Sequence, residues 1–173
     1  MGWLVDYFEL DDEQKEFVDR KDIEKRNIWI KGFPGSGKSV LLAYTLRRIM
    51  NKNPNANIIV VVYTHSLIAM FNAAFKEMNL PKPVKVVTYF QFMKTTGTYD
   101  YILCDEVQDL TSDVLSTMKH RGTHVIVSGD ENQSIYENTV SPSQINNLLD
   151  AESYGLHMIH RLTQDIIKVV KKF

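Results

Sequence analysis

The sequence is poor in cysteine and in long apolar runs, and each absence excludes a class of protein. Cys104 is the single cysteine among 173 residues, so neither a disulfide within the chain nor a cysteine-based zinc site can form. This usage is typical of a reducing, intracellular compartment, and we expect a cytoplasmic protein. No apolar run reaches the roughly 18–20 residues that cross a bilayer. Residues 1–9 also lack the basic-then-apolar layout of a signal peptide.

An excess of charge of one sign is lacking as well. Twenty Lys and Arg residues stand against 21 Asp and Glu residues, which gives a formal net charge of −1. This balance disfavours a domain that only coats nucleic-acid phosphates, although a local basic groove is compatible with a neutral total. The 44% of apolar residues and 24% of charged residues are ordinary for a globular domain.

Short apolar runs alternate with helical patterns along the chain. Dense Val and Ile predict buried strands at residues 28–30, 58–63, 84–88, 101–104 and 125–127. Helical spacing predicts helices near residues 12–20, 38–51, 66–78, 111–120 and 164–173. This alternation predicts an α/β fold, a mostly parallel sheet with helices on both faces. No Gly-, Pro- or Ser-rich linker divides residues 1–173, so we expect one domain.

Residues 32–39 form the pattern G-x-x-x-x-G-K-S, directly after a predicted strand and before a predicted helix. Glycines let the backbone curl so that its N–H groups face phosphate oxygens. A lysine at this position reaches the β and γ phosphates, and the serine hydroxyl binds Mg²⁺. The predicted ATP-binding residues of this loop are Gly32, Pro34, Gly35, Ser36, Gly37, Lys38 and Ser39.

Two carboxylates, Asp105 and Glu106, follow the apolar run at residues 101–104. Ligands bind at the carboxyl ends of strands in a parallel sheet. We predict that Asp105, with Ser39, holds Mg²⁺ and that Glu106 polarises the attacking water. Taken alone, the pair is equally typical of solvated acids that end a strand. After residues 125–128, the sequence Gly-Asp-Glu-Asn-Gln places Gln133 where it would sense the γ-phosphate, although a polar turn is the alternative.

The order of these motifs resembles the UvrD/Rep-like branch of superfamily 1 helicases. The residues that carry the resemblance are Leu-Asp-Asp-Glu-Gln at 10–14, the phosphate loop, Asp-Glu-Val-Gln-Asp at 105–109 and Gly-Asp-Glu-Asn-Gln-Ser-Ile-Tyr at 129–136. The similarity runs from about residue 10 to residue 161 and corresponds to the first RecA-like lobe. It implies a RecA-like P-loop NTPase fold, with ATP and Mg²⁺ as cofactors.

The resemblance implies further nucleotide contacts outside the phosphate loop. Gln14, in the adenine-side segment at residues 1–26, would read the edge of adenine with its amide. The spacing of Asp11 and Gln14 is also typical of a helix capping box, and both roles can coexist. Arg161 would touch the γ-phosphate, and His160 stands where the family has an aromatic residue that stacks on adenine. Both lie in residues 156–173, the expected connection to a second lobe.

The resemblance also implies single-stranded DNA or RNA as a partner. The candidate contacts are Thr64, His65, Thr88, Tyr89 and Tyr136. Plain strand ends and core aromatic residues are the alternatives for these positions.

Three departures from the family pattern narrow the expected function. Residues 137–140 read Glu-Asn-Thr-Val where the family has a base-stacking tryptophan stretch, and eleven residues between Thr88 and Asp100 replace a usual helical insertion. The second RecA-like lobe would begin where this chain ends. We therefore expect the ATP-binding lobe of a helicase or translocase, weak or inactive as a motor in isolation and completed by a second lobe or a partner protein. A nucleotide-gated protein-interaction module with little nucleic-acid contact is the alternative.

Overall fold

The computed structural model of the chain describes residues 2–132 and 140–157. The predicted helix at 164–173 lies outside these residues. Strands are β1 (Asn27–Gly32), β2 (Ile58–Val62), β3 (Lys85–Thr88), β4 (Tyr99–Cys104), β5 (Gly122–Gly129) and β6 (Ala151–Leu156). Helices are α1 (Asp12–Arg20), α2 (Lys38–Lys52), α3 (His65–Glu77), α4 (Tyr89–Lys94), α5 (Ser112–Arg121) and α6 (Pro142–Leu149). Short 3-10 helices cover Tyr7–Glu9 and Val107–Asp109.

The six strands form one sheet in the order β3-β2-β4-β5-β1-β6. Every neighbouring pair is parallel, which confirms the predicted α/β fold of RecA-like type. Val62 lies opposite Thr88, and Lys31 lies opposite Gly129. Since all the strands run in one direction, their carboxyl ends share one edge of the sheet.

Each face of the sheet is covered by helices. Side chains alternate along β1, so that Ile28 and Ile30 pack in one apolar core and Trp29 packs in the other. The first core includes residues of α1, α2 and α3, and the second includes residues of α4, α5 and α6. Burial of each such large apolar side chain contributes roughly 1.5–3 kcal/mol. The central strands read as continuous apolar runs because both of their faces are buried.

Besides the two 3-10 helices, three elements were not predicted from the sequence: α4, α6 and β6. Helix α6 begins at a capping box, in which the Ser141 hydroxyl accepts the Gln144 N–H, and Pro142 occupies its first turn. It ends at Asp150, whose φ of 48° is left-handed. Strand β6 follows immediately and pairs with β1 at the sheet edge.

The segment before α1 packs over α2 and α3. The Trp3 indole N–H donates to the carbonyl of Met70 at 2.7 Å, and the Tyr44 hydroxyl donates to the carbonyl of Val5 at 2.6 Å. Within the described ranges, the structure contains no helix with the length and apolar character that a membrane crossing requires.

Candidate nucleotide-binding site

The phosphate loop connects β1 to α2 through two glycines in the left-handed region. Gly35 has a φ of 80° and Gly37 a φ of 87°, and Gly37 caps the amino end of α2. A side chain at Gly32 would collide with the hydroxyl of Ser36, which is buried under the loop. These positions therefore need glycine, and the loop delivers the amino end of α2 to the carboxyl edge of the sheet.

Lys38 crosses this loop from the first turn of α2. Its ammonium donates to the carbonyl of Gly32 at 2.7 Å and to the carbonyl of Phe33 at 3.0 Å. Burial lowers the pKa of the ammonium, whereas the nearby carboxylates of Glu106, Asp105 and Asp130 act in the opposite direction. A buried cation among carboxylates is a suitable partner for the oxygens of a polyphosphate.

Asp105 is held by three donors at the end of β4. Its Oδ2 accepts the Ser39 hydroxyl at 2.5 Å, and its Oδ1 accepts the Ser128 hydroxyl at 2.6 Å and the Glu106 N–H at 3.0 Å. The residue is 1% exposed. The two predicted Mg²⁺ ligands, Ser39 and Asp105, are therefore in direct contact.

The donor set at this point suits Mg²⁺. Among the described residues, no group of three or more His, Cys, Asp or Glu side chains is arranged to hold a metal ion. A hydroxyl and one carboxylate are nevertheless the protein ligands that Mg²⁺ uses in phosphate sites, where phosphates and water complete its shell. Ser39 and Asp105 meet this requirement.

Glu106, the residue after Asp105, has an unusual backbone conformation. Its φ of 55° is left-handed, which few residues other than glycine adopt. Its Oε2 accepts the side-chain amide of Gln108 at 2.5 Å. Burial and the neighbouring Asp105 raise the pKa of the Glu106 carboxyl, and Gln108 and Lys38 oppose this rise. A carboxylate with a raised pKa beside a phosphate site is suited to accept a proton from water.

The turn at residues 129–132, which follows β5, forms a further part of the site. The Asp130 N–H donates to Oε1 of Gln108 at 3.2 Å, and Oδ1 of Asp130 accepts the Asn132 N–H at 2.8 Å. The turn therefore connects to Glu106 through Gln108. Gln133, the predicted γ-phosphate sensor, lies outside the described residues, as do His160, Arg161 and Tyr136.

Gln14 contacts the phosphate loop. Its N–H donates to Asp11 at 2.7 Å and its Oε1 accepts the Asp11 N–H at 3.0 Å, which forms the capping box of α1. Its Nε2 donates to the carbonyl of Ser36 at 3.1 Å. The capping interpretation is therefore correct, and the reading of adenine by Gln14 stays a prediction.

The candidate nucleic-acid contacts lie together at the ends of β2 and β3. Thr64 caps α3, whose first residue is the exposed His65, and the buried Thr88 caps α4. The rings of Tyr63 and Tyr89 stack at 5.2 Å between centroids, with an interplanar angle of 16°. These residues occupy the same sheet edge as the phosphate loop.

Three residues of the site were not singled out from the sequence: Gln108, Ser128 and Asp130. All three are buried and polar, and all three bond within the site. Ser128 and Asp130 stand at the carboxyl end of a predicted strand, which is a signal that would have indicated them. The role of Gln108 needs the fold, because its partners at residues 106 and 130 are far apart in the chain.

The parallel sheet, the glycine loop and the carboxylates at its edge define a P-loop nucleotide-binding lobe of RecA-like type. Residues 28–173 match the viral superfamily 1 RNA helicase core domain. Because this match covers most of the chain, the chain belongs to that family. No curated protein matches the chain significantly in sequence.

Solved helicase structures share the fold. An arterivirus nonstructural protein 10 helicase is 20% identical with a TM-score of 0.53, over 86% of this chain and 37% of that one. The Pif1 helicase from Bacteroides is 18% identical with a TM-score of 0.54, over 88% and 43%. The Hef helicase domain of Pyrococcus furiosus is 13% identical with a TM-score of 0.58, over 84% and 38%. The chain therefore spans less than half the length of each of these structures.

Proposed function

We propose that the chain is the ATP-binding lobe of a UvrD-like superfamily 1 motor, which couples hydrolysis of Mg²⁺-ATP to movement on single-stranded nucleic acid. The observation that carries this proposal is the 2.5 Å contact between the Ser39 hydroxyl and Asp105. It joins the phosphate loop to the carboxylate pair at the edge of the sheet, which is the arrangement that phosphoryl transfer requires.

Each side chain of the site has a distinct task in this proposal. Lys38 and the amides of the glycine loop bind the phosphates, and Ser39 and Asp105 would hold Mg²⁺, which would supply charge neutralisation at the phosphate oxygens. Glu106 orients the attacking water and takes its proton. Gln133 and Arg161 sense the γ-phosphate, while Gln14 and His160 contact adenine.

The proposal of a nucleic-acid partner is based on residues at the other end of the same sheet edge. The Bacteroides Pif1 structure contains ADP-AlF3 and single-stranded DNA. In this chain Thr64, His65, Thr88 and Tyr89 flank the nucleotide site at the ends of β2 and β3. The ends of β4 and β5 lie between such a bound strand and the phosphate loop, so nucleotide state and strand contact would be coupled through one sheet.

A protein-interaction module gated by nucleotide is the second candidate. Residues 137–140 do not provide the stacking tryptophan, and the net charge is near zero. Phe90 is 58% exposed on α4, and Met93 lies exposed on the same short helix. An apolar surface at this end of the sheet edge would suit a protein partner.

ATPase assays with and without single-stranded DNA separate the two candidates. We expect DNA to stimulate hydrolysis by the wild-type chain, and Lys38→Ala to remove both basal and stimulated activity. Loss of the Lys38 ammonium should weaken ATP binding by on the order of 10- to 100-fold. Arg20→Ala, on the exposed surface of α1, is a matched charge control. Hydrolysis without any DNA binding at low salt would favour the interaction module.

A further inference from the structure

Gln108 occupies a buried position between the two halves of the site. It lies in the 3-10 helix Val107–Asp109 and is 4% exposed. Its Nε2 donates to Oε2 of Glu106 at 2.5 Å, and its Oε1 accepts the Asp130 N–H at 3.2 Å. One side-chain amide therefore joins the proposed water-orienting carboxylate to the backbone of the turn at 129–132.

The two contacts permit a single orientation of the amide. A flipped amide would place its oxygen against the Glu106 carboxylate and its N–H groups against the Asp130 N–H. Gly129 adds a steric constraint, because a side chain there would collide with Oε1 of Gln108. The orientation of the amide therefore depends on the positions of both the turn and the carboxylate.

Glu106 depends on this connection because its backbone adopts a conformation that is unfavourable for a residue with a side chain. Its φ of 55° belongs to a sparsely populated region, in which residues persist when their surroundings hold them. Within the described part of the chain, the Glu106 carboxylate accepts its hydrogen bond from the Gln108 amide. A shift of the turn would therefore change the direction of that carboxylate.

We propose that Gln108 is a positioning residue that couples the conformation of the turn at 129–132 to the aim of Glu106. Hydrolysis would then depend on the conformation of this turn. Its first residue, Gly129, pairs with Lys31 of β1, the strand that leads into the phosphate loop, and Gln133 follows the turn in the sequence. This inference rests on the proposed ATPase function.

Two substitutions at Gln108 separate its contacts. Gln108→Met fills the space without hydrogen bonds, and Gln108→Glu keeps an acceptor for the Asp130 N–H while it removes the donor to Glu106. We expect Gln108→Met to bind ATP with unchanged Kd and unchanged KM, and kcat to fall by on the order of 100-fold in both variants. Gln144→Met, at the exposed cap of α6, is the matched control and should hydrolyse ATP normally. Wild-type kcat in either Gln108 variant, or a raised KM with normal kcat, overturns the proposal.

Amide hydrogen exchange tests the coupling without activity and without altering Gln108. Glu106→Ala removes the acceptor of the Gln108 amide, so exchange at the Asp130 N–H should become several-fold faster, although residue 106 makes no hydrogen bond to residue 130. Glu106→Gln keeps an acceptor and should leave that exchange unchanged, as should the amides of Val125 and Val127 in both variants. Unchanged exchange at Asp130 in Glu106→Ala overturns the coupling. Failure of the wild-type chain to bind Mg²⁺-ATP would instead refute the proposed function, and the exchange result would still decide the coupling.

Discussion

At the scale of single residues, the site concentrates negative charge around one cation. The carboxylates of Asp105, Glu106 and Asp130 all act on the Lys38 ammonium, and three of these four residues are buried. Hydrogen bonds from Ser39 and Ser128 stabilise Asp105, but hydroxyl groups do not neutralise it. A divalent cation at this point would balance the excess of carboxylates, which supports the assignment of Ser39 and Asp105 to Mg²⁺.

Glu106→Gln tests the role of the water-orienting carboxylate. Glutamine keeps the volume and an acceptor for Gln108 but cannot take a proton from water. We expect ATP binding to be unchanged and hydrolysis to fall by at least 100-fold, roughly the contribution of a general base. Nucleotide titration by fluorescence and steady-state ATPase assays measure the two quantities. Retained hydrolysis would remove Glu106 from this role.

Ser128→Ala tests whether the Ser128 hydroxyl on β5 fixes the orientation of the Asp105 carboxylate. The substitution removes the 2.6 Å hydrogen bond to Oδ1, so the carboxylate loses a donor that fixes its direction. We expect the Mg²⁺ concentration for half-maximal ATP binding to rise about tenfold, which corresponds to about 1.4 kcal/mol. Ser116→Ala, exposed on α5, makes the same chemical change away from the site and should have no effect. Equal Mg²⁺ dependence in the two variants would contradict this role of Ser128.

Residues with a local pattern were predictable, and residues defined by tertiary contacts were not. The phosphate loop and the pair Asp105 and Glu106 follow from motif and strand position, and the structure brings them together. The sequence left two interpretations of Gln14, helix capping and adenine reading. Its capping box is local and therefore visible in the spacing, whereas its hydrogen bond to Ser36 spans 22 residues and is not. Ser128 bonds to Asp105, 23 residues away, and Gln108 to the Asp130 N–H, 22 residues away, so the contacts that define their roles depend on the fold.

At the scale of elements, burial on both faces made the central strands predictable. Strand β6 was not predicted because its sequence, Ala-Glu-Ser-Tyr-Gly-Leu, lacks the density of Val and Ile found in the other strands. Its residues between the two ends of the strand are also only partly buried or exposed. It lies at the edge of the sheet that the described residues form, where a strand pairs on one side only. Helix α4 spans six residues, which is too short for a helical period to emerge.

Arg121 secures the connection between α4 and β4. It is 8% exposed at the end of α5, and its guanidinium donates to the carbonyls of Gly97 at 2.6 Å, Phe92 at 2.8 Å and Thr95 at 3.1 Å. The guanidinium also lies 4.1 Å from the centroid of the Phe92 ring. One side chain thus orders the short segment that stands where the UvrD-like pattern has its insertion.

Arg121→Met should therefore destabilise the fold without altering the nucleotide site. Three carbonyls lose a charged donor, and we expect the free energy of unfolding to fall by about 3 kcal/mol. Urea denaturation measures the change, and ATP affinity should stay the same under native conditions. Arg20→Met, in an exposed ion pair on α1, should cost less than about 0.5 kcal/mol. Similar costs for the two variants would show that the connection does not depend on Arg121.

At the scale of the whole molecule, one edge of the sheet carries every candidate contact that the structure describes. From β3 to β1 this edge presents Thr88, Thr64, Asp105, Ser128 and the phosphate loop. The parallel topology produces this alignment, because each strand ends at the same edge. The chain covers 37% to 43% of the length of the helicase structures from arterivirus and Bacteroides. A second lobe facing this edge would enclose a nucleotide bound there.

The isolated chain should therefore bind Mg²⁺-ATP but hydrolyse it slowly. The proposed binding groups are all in this lobe: Ser39 contacts Asp105, and the Lys38 ammonium lies close enough to Asp105 for the two charges to interact. Fast hydrolysis also needs groups that stabilise the charge on the γ-phosphate from the opposite side, and an added arginine of this kind contributes on the order of 10³–10⁵ in kcat. We expect tight nucleotide binding by calorimetry and turnover well below ~10 s⁻¹. Lys38→Ala is the control for contaminating ATPase. Turnover by the wild-type chain at ~10 s⁻¹ or faster would show that this lobe completes the catalytic site without a partner.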